Sequence, residues 1–464
     1  MKENTVPVFD FVVIGAGVIG SAIARELAGT EAKVAIIEAK DDVCESTSKA
    51  NTAILHTGYD AKPGTLEAKL VAEGYHLTRE YCAQADIGVR QTGAILVAWD
   101  AEQAESLPEL QKKAVENGYT ETVLLSPEEV YAELPHLGVG VTGGLAVPGE
   151  SVIDAWSVPL AYATDAVHRG AQLLRGRKVL GIDYNGATTT TLSTTQGEVK
   201  TRWVVNAAGL GGDEIDAMYG YDRLKVHPRK GELLVFDKLA APLAEKIVLA
   251  APSKVGKGVL ISPTIFGNIM LGPTAEDMED KTDTSTSESG FEFLVEKGKK
   301  IVPALLQEEV TAAYAGLRAA HNQKDYLLEA NIDKRYVVAA AIRSTGLTSA
   351  LAVARYIRRL IEEAGVELQQ RADLPPAPIM PRLGQHQVRP YQNEEKITAN
   401  PAYGTVVCFC ERVTKGEILD ALNSDIPPAG LSGLRRRTRA TNGRCQGFFC
   451  GAAVAKLLEE AKND

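Results

Sequence analysis

The sequence predicts an α/β fold, with a parallel-sheet body over residues 1–370 and a small unit at the C-terminal end. Three observations predict it. An apolar run at residues 11–14 opens into Gly15, Gly17 and Gly20 and then into helical periodicity. The composition breaks after residue 370, where Pro375, Pro376, Pro378, Pro381, Pro390 and Pro401 crowd the stretch 371–404. Four of the six cysteines, Cys408, Cys410, Cys445 and Cys450, then fall in the last 57 of the 464 residues.

The run at 11–14 is apolar throughout, as expected of a parallel strand buried on both faces. A helix is expected over 21–28 and a second strand over 33–37, ending at Glu38, 18 residues after Gly20. In such a unit the first glycine makes the tight turn and the second lets the backbone approach a pyrophosphate at the helix N-terminus. The acid accepts hydrogen bonds from a ribose hydroxyl. G-x-G-x-x-G alone is a weak signal; strand, helix, strand and acid in register together predict a dinucleotide-binding βαβ unit. Further along, Ser126, Pro127 and Glu129 spell a helix start. Residues 173–205 predict an antiparallel meander with turns at Asn185-Gly186 and Gln196-Gly197, ending in a strand that runs into the small-residue turn before Gly209. Residues of about 60–150 and 225–320 are expected to form a substrate-binding part interleaved with the dinucleotide-binding part. Residues 280–290 are expected to be a mobile polar loop.

The proline-rich stretch 371–404 predicts an extended linker. Residues 405–464 are too few for a self-sufficient core and call for a staple. Thr414 and Glu417 form a capping box for a helix over 417–422. A last helix is expected from about 446 to 461, placing Cys450 in its first turns, where helix amides stabilise thiolate charge. The cysteines read C-x-C, 34 residues, C-x4-C. Four thiolates suit a [2Fe–2S] cluster, two for each iron. Zinc also takes four thiolates but favours C-x2-4-C pairs, and remains the alternative at this point. A one-electron centre implies a redox partner in the chain, and the dinucleotide site supplies it. Arg435, Arg436, Arg437 and Arg439 form either a solvated face or a charge that balances the cluster and guides an acidic partner.

Apolar residues make up 45% of the chain, and the net charge is −10. The charge argues against nucleic acid or anionic membrane as the main partner. No apolar run approaches the roughly 20 residues needed to span a bilayer, and the first ten residues lack the apolar core of a signal peptide. Cys44 and Cys82 show no disulfide logic, and thiolate ligands need a reducing compartment. These features predict a cytoplasmic enzyme.

The body resembles the D-amino-acid-oxidase-like FAD oxidoreductases, in particular the branch of glycerol-3-phosphate dehydrogenases and L-2-hydroxyglutarate oxidoreductases. The resemblance is carried by GAGVIG with Glu38, STSKANTAILHTGYDAKPGTLEAKL (46–70), VVNAAGLGG (204–212), HPRKGELLVFD (227–237), AGLRAA (315–320) and IRSTGLTSALAVARYI (342–357). The last 60 residues resemble a bacterioferritin-associated-ferredoxin-like [2Fe–2S] module, through CFCERVTKGEI and RRRTRATNGRCQGFFC. The resemblance implies FAD, with its ADP half at Gly15, Gly17, Gly20 and Glu38. It implies further FAD contacts at Ser46, Ser48, Asn51, Thr52, Val179 and Gly209, and helix-start amides at Gly346, Leu347 and Thr348 facing the flavin. It implies a [2Fe–2S] cluster on Cys408, Cys410, Cys445 and Cys450.

The same resemblance implies His56 as the base and Arg318 and Arg343 as the anion-binding pair, with Lys230 a weaker candidate beside His227 and Arg229. The expected activity is oxidation of the secondary alcohol of a small anionic hydroxy compound, glycerol 3-phosphate or an L-2-hydroxy acid. Electrons then leave through the cluster to an acceptor protein, a quinone or further subunits, with the enzyme cytoplasmic or peripheral to a membrane. Amine or imino-acid oxidation and a non-catalytic electron carrier are the alternatives.

Overall fold

The structure, a computed structural model, describes residues 8–184, 188–252, 258–383 and 388–463; the Asn185-Gly186 turn lies outside them. The expected α/β architecture is the one found. Strand β1 (Val8–Ile14), helix α1 (Val18–Leu27) and strand β2 (Val34–Ile37) form the βαβ unit. β1 lies between β2 and the strand Gly197–Asn206, parallel to both, with Phe11 opposite Val34 and Trp203. The strand Tyr336–Ala340 adds in parallel alongside Val204–Asn206. Val12, Val13, Ile36, Val204 and Val337 are buried, which is why these strands lack polar alternation. Helices α1, Ser157–His168 and Gly346–Glu363 pack together over this sheet.

The meander is real but begins later than expected. Val179–Asp183, Thr190–Thr194 and the first half of Gly197–Asn206 run antiparallel. The strand Gln172–Leu174 instead lies at the opposite edge, parallel to β2. It follows the helix Ser157–His168, and a helical crossover returns the chain in parallel.

A nine-stranded sheet covers the other half of the body. Its backbone is the long antiparallel pair Val226–Phe236 and Val310–His321, in which Arg229 faces Arg318 and Gly231 faces Gly316. The strands Ala94–Ala98, Val123–Leu125 and Gly143–Val147 complete it from the earlier part of the chain. Residues 280–290 are a loop only as far as Ser287. Ser287 caps the helix Glu288–Ile301, and both its amide and its hydroxyl donate to the buried Glu232. Lys281–Asp213 and Lys230–Asp283 ion pairs hold the rest of the loop to the body.

At the C-terminal end, the hairpin Val406–Cys408/Val413–Thr414 and the helices Lys415–Leu422, Leu431–Thr438 and Gly451–Asn463 surround a core of Ile418, Leu434, Val454 and two of the cysteines. Both capping boxes expected from the sequence, at Ser126 and Thr414, are formed. The last helix begins at Gly451, later than expected. Gln446 and Gly447 both have positive φ, 48° and 87°, which an α-helix does not accommodate. Cys450 therefore stands just before the helix, and its carbonyl accepts from the Val454 amide.

Two expectations about this end are corrected. The stretch 371–404 is not a free linker. Its first part is fastened to the body through Arg371 N–H to Gly29 O, Met380 N–H to Ala85 O and Arg382 to Asp86. Its last part forms short helical turns on the cysteine unit, where Tyr403 donates to Asp420 and Lys415 N–H to Thr405 O. The buried members of the arginine run, too, are neither a solvated face nor a lure for an outside partner. Arg436, Arg437 and Arg439 are buried, and their acidic partners belong to the same chain. Arg437 forms a bidentate pair with Asp42 at 2.7 and 2.8 Å, Arg436 pairs with Glu45, and Arg439 with Glu411, which also takes Lys238.

Removing one member of a buried ion pair leaves the other charge uncompensated, at a cost of about 3–5 kcal/mol. Arg437→Ala is therefore expected to lower the urea midpoint for unfolding substantially. Asp42→Leu with Arg437→Leu in one chain should recover most of that loss. Equal midpoints for wild type and the single variant would show that the pair does not hold the two parts together.

Candidate functional site

The βαβ turn is shaped by what its glycines lack. Gly15 has φ +104°, and a Cβ there would meet the Ala207 carbonyl oxygen at 2.5 Å; one on Gly20 would overlap the Gly15 carbonyl. A Cβ on Gly17 would press on the Ser48 hydroxyl, which accepts the Val18 amide at the start of α1. Glu38 follows β2 directly, with its carboxylate accepting from the amides of Ala16 and Lys40, both at 2.8 Å. Burial pushes its carboxyl above the usual range, and these amides pull the other way. Val179 lies two residues past Arg177, whose amide bonds the Glu38 carbonyl. Gly209, φ +56°, follows Ala207 and Ala208, which pack on Gly15. A turn stripped of side chains, a helix N-terminus and a carboxylate at the end of β2 fit the ADP half of a dinucleotide.

From this turn a cavity of about 270 Å³ runs under the nine-stranded sheet, lined among others by Ser48, Asn51, Thr52, His56, Arg318, Arg343, Gly346 and Leu347. These eight come from three separate stretches of the sequence, 48–56, 318 and 343–347, and the fold brings them to one cavity. The side chain of Asn51 holds its own turn, bonding Ser48 O and the Ala53 amide. Ser46 precedes the short helical turn Thr47–Lys49, and its side chain makes no cap hydrogen bond to it. Thr348 is buried, its amide bound to Thr345 O and its hydroxyl accepting the His56 amide; it positions the histidine segment instead of lining the cavity.

His56 gains a partner that sequence reasoning missed. The strand Ile54–Leu55 pairs antiparallel with Ser151–Ile153, Leu55 opposite Ser151. That register sets the next residue, His56, against Glu150. The Glu150 carboxylate is fully buried, with His56 Nδ1 at 3.0 Å and the Thr57 amide and hydroxyl at 2.7 and 3.0 Å. A carboxylate accepts, so Nδ1 donates, and in the neutral ring the lone pair is then on Nε2. No local motif marks Glu150; only the strand register does.

Arg318 crosses over Gly231, where a Cβ would lie 2.6 Å from its guanidinium. It donates to Thr274 O at 2.6 Å and makes no ion pair among the described residues. Burial, and then Arg229, lower its pKa, with Asp277 opposing. Arg343 is exposed at the cavity mouth in a left-handed backbone conformation, φ 53°, and donates to His321 Nε2. Lys230 does not join them. Alternate residues of a strand point to opposite faces, so Lys230 leaves the Gly231 face and pairs with Asp283 at 3.4 Å.

The four cysteines gather in two touching pairs, Cys408 with Cys450 and Cys410 with Cys445. The amides of Phe449, Gly447 and Phe448 point at the Cys445 sulfur, and the first of these does most to hold that thiol below its ordinary pKa. Amides directed at sulfur are what a bound thiolate cluster needs, so the donor set fits.

Residues 10–360 match the model of the FAD dependent oxidoreductase family, DAO, and residues 406–460 that of the BFD-like [2Fe-2S] binding domain. The second match decides against zinc. The chain is 34% identical over 452 residues to a glycerol 3-phosphate dehydrogenase of Caloramator mitchellensis, covering 97% of this chain and 94% of that one. It is 27% identical over 294 residues to an L-2-hydroxyglutarate dehydrogenase of Indibacter alkaliphilus, covering 62% and 73%. The fold is similar to dithionite-reduced L-alpha-glycerophosphate oxidase from Mycoplasma pneumoniae with FAD bound, at a TM-score of 0.76 and 25% identity, covering 81% of this chain and all of that one.

One pH dependence follows from the cavity mouth. His321 is pushed down to about 4 from 6.5, by burial first and then by Arg343. Between those values the unfolded chain binds a proton that the folded chain refuses, so this residue makes stability fall as pH drops from 6.5 to about 4. His321→Gln is expected to flatten that part of a plot of Tm against pH. An unchanged slope would assign the acid limb to other groups.

Proposed function

This chain belongs to the DAO family of FAD-dependent oxidoreductases and carries a BFD-like [2Fe–2S] domain, and on that footing we propose that it oxidises the secondary alcohol of glycerol 3-phosphate. Bound FAD supplies the hydride acceptor, and the cluster a one-electron outlet. The observation that carries the substrate reading is Arg318, a guanidinium without an ion pair among the described residues, in the same cavity as the His56–Glu150 pair.

His56 Nε2 takes the hydroxyl proton as hydride leaves the carbinol carbon. Glu150 holds the ring in the tautomer that can accept it and stabilises the charge the ring then gains. Arg318 grips the phosphate as a planar fork, and Arg343 closes on it from the mouth. The near full-length similarity to a glycerol 3-phosphate dehydrogenase favours this substrate over L-2-hydroxyglutarate, whose dehydrogenase matches over a shorter stretch.

The division of labour follows the chain. Residues 1–370 hold FAD and substrate, and residues 405–464 hold the cluster on Cys408, Cys410, Cys445 and Cys450. Among the described residues no helix is long and apolar enough to cross a membrane. We assign the enzyme to the cytoplasm or a membrane surface, delivering electrons to an acceptor protein or a quinone.

Anaerobic bleaching of the flavin tests this directly. Glycerol 3-phosphate should bleach it, and L-2-hydroxyglutarate and glycine should not. Bleaching by L-2-hydroxyglutarate alone would transfer the enzyme to the hydroxy-acid group. His56→Ala should slow flavin reduction at saturating substrate by roughly 10²–10⁴-fold, with Glu150→Gln in the same direction. Arg318→Ala should mainly raise KM, by roughly 10²-fold for a lost charge-assisted pair. An unchanged reduction rate in His56→Ala would remove it from the role of base.

The cluster assignment has its own check. The purified protein should contain about two irons and two acid-labile sulfides, and Cys445→Ser should lose both. One zinc in their place would refute the assignment.

A further inference from the structure

A second cavity, about 720 Å³, lies between the body and the cysteine unit. One wall includes Ala50 and Asn51, which also line the first cavity. The facing wall is the arginine helix with Asn442 and Gln446, the latter next to Cys445. Nothing in the proposed reaction uses this space.

Its charge is one-sided. Lys49, Arg435, Arg436 and Arg439 line it, and no Asp or Glu among the described residues does, although acids outnumber bases 60 to 50 in the chain. The carboxylates that neutralise part of this charge, Glu45 and Glu411, stand behind the wall on Arg436 and Arg439. Arg435 has none. Its half-buried guanidinium donates, among the described residues, only to neutral oxygens, Asn442 Oδ1 at 2.8 Å, Gln446 Oε1 at 3.2 Å and the Thr441 carbonyl at 3.5 Å, and burial alone lowers its pKa. The rest of the lining includes an apolar wall of Trp156 stacked on Phe266, with Met270 beside them. Its volume is that of a small-molecule site. A cationic end with an apolar flank suits an amphiphilic anion, and several guanidiniums favour a doubly charged head over a single carboxylate.

We propose that this interdomain cavity binds an organic phosphate monoester. The phosphate sits on Arg435, with Arg436 and Arg439 beside it, and the organic part lies along Trp156 and Phe266. The site is separate from the substrate cavity, since Arg318 and His56 do not line it.

The test is calorimetric titration of the holoenzyme with adenosine 5′-monophosphate as the probe, with adenosine as the control for the phosphate. Saturable binding of the nucleotide and none of adenosine is expected. Arg435→Gln should weaken it at least roughly tenfold, as for loss of a charge-assisted phosphate contact, while Arg318→Gln leaves it unchanged. The flavin and cluster absorbance of each variant report whether it has folded. Should Arg435→Gln lose its cluster, Ala313→Trp fills the cavity from an exposed position on the body side and should abolish binding. The proposal is overturned by no saturable binding up to about 10 mM, by equal binding of adenosine, by wild-type affinity in Arg435→Gln or Ala313→Trp, or by loss of binding in Arg318→Gln.

Discussion

The close approach of Gly15 and Gly20 to the end of the strand Gly197–Asn206 is the constraint on which the rest of the body hangs. With side chains there, α1 could not begin against the sheet, because the new atoms would overlap the carbonyls of Gly15 and Ala207. With hydrogens there, the Ala207 amide reaches Ile14 O, and α1 presents its first amides where Ser48 can meet Val18. The segment that follows Ser48 is thereby aimed at the strand Ser151–Ile153, with which Ile54–Leu55 pairs, and His56 comes out of that pairing facing Glu150. A backbone that must pass another backbone this closely accepts only glycine.

What was legible in the sequence is what local chemistry decides. Apolar runs gave the buried parallel strands, Ser126 and Thr414 announced their helices, and cysteine spacing marked the cluster unit. What was not legible is whatever depends on strand register or on a partner far along the chain. Glu150 lies 94 residues from His56 and belongs to no motif. Asp42 lies 395 residues from Arg437, so a run of arginines in isolation looks like a solvated face. Lys230 illustrates a subtler limit. Its neighbour Gly231 faces the cavity, and the alternation that sends Lys230 the other way means something only once Arg318 is known to lie on the facing strand. The last helix started late because positive φ at Gln446 is a demand of the cysteine loop, not of helix propensity.

Three buried carboxylates share a pattern. Glu150 is met by His56 and twice by Thr57, Glu232 by the amide and hydroxyl of Ser287, and Asp42 by two nitrogens of Arg437. An ionised group taken out of water is costly unless its lone pairs are filled, and each of these is filled by groups from a different part of the chain. Each therefore selects one tertiary arrangement: the histidine strand on its sheet, the helix Glu288–Ile301 on its strand, the cysteine unit on the loop after β2.

The fastened connection between the two parts explains why their interface can be so polar. Two free proteins would have to overcome the loss of translational freedom, which favours broad apolar surfaces. Here residues 371–382 are laid along the body and the turns near Tyr403 are part of the cysteine unit, so the two surfaces meet at an effective concentration that a short tether sets near the millimolar range. At such a concentration, weak mutual affinity is enough to keep the units together. Arginines and carboxylates then suffice where separate partners would need leucines and aromatics, and the large exposed aromatics of the cysteine unit, Phe409, Phe448 and Phe449, stand on the surface it does not share.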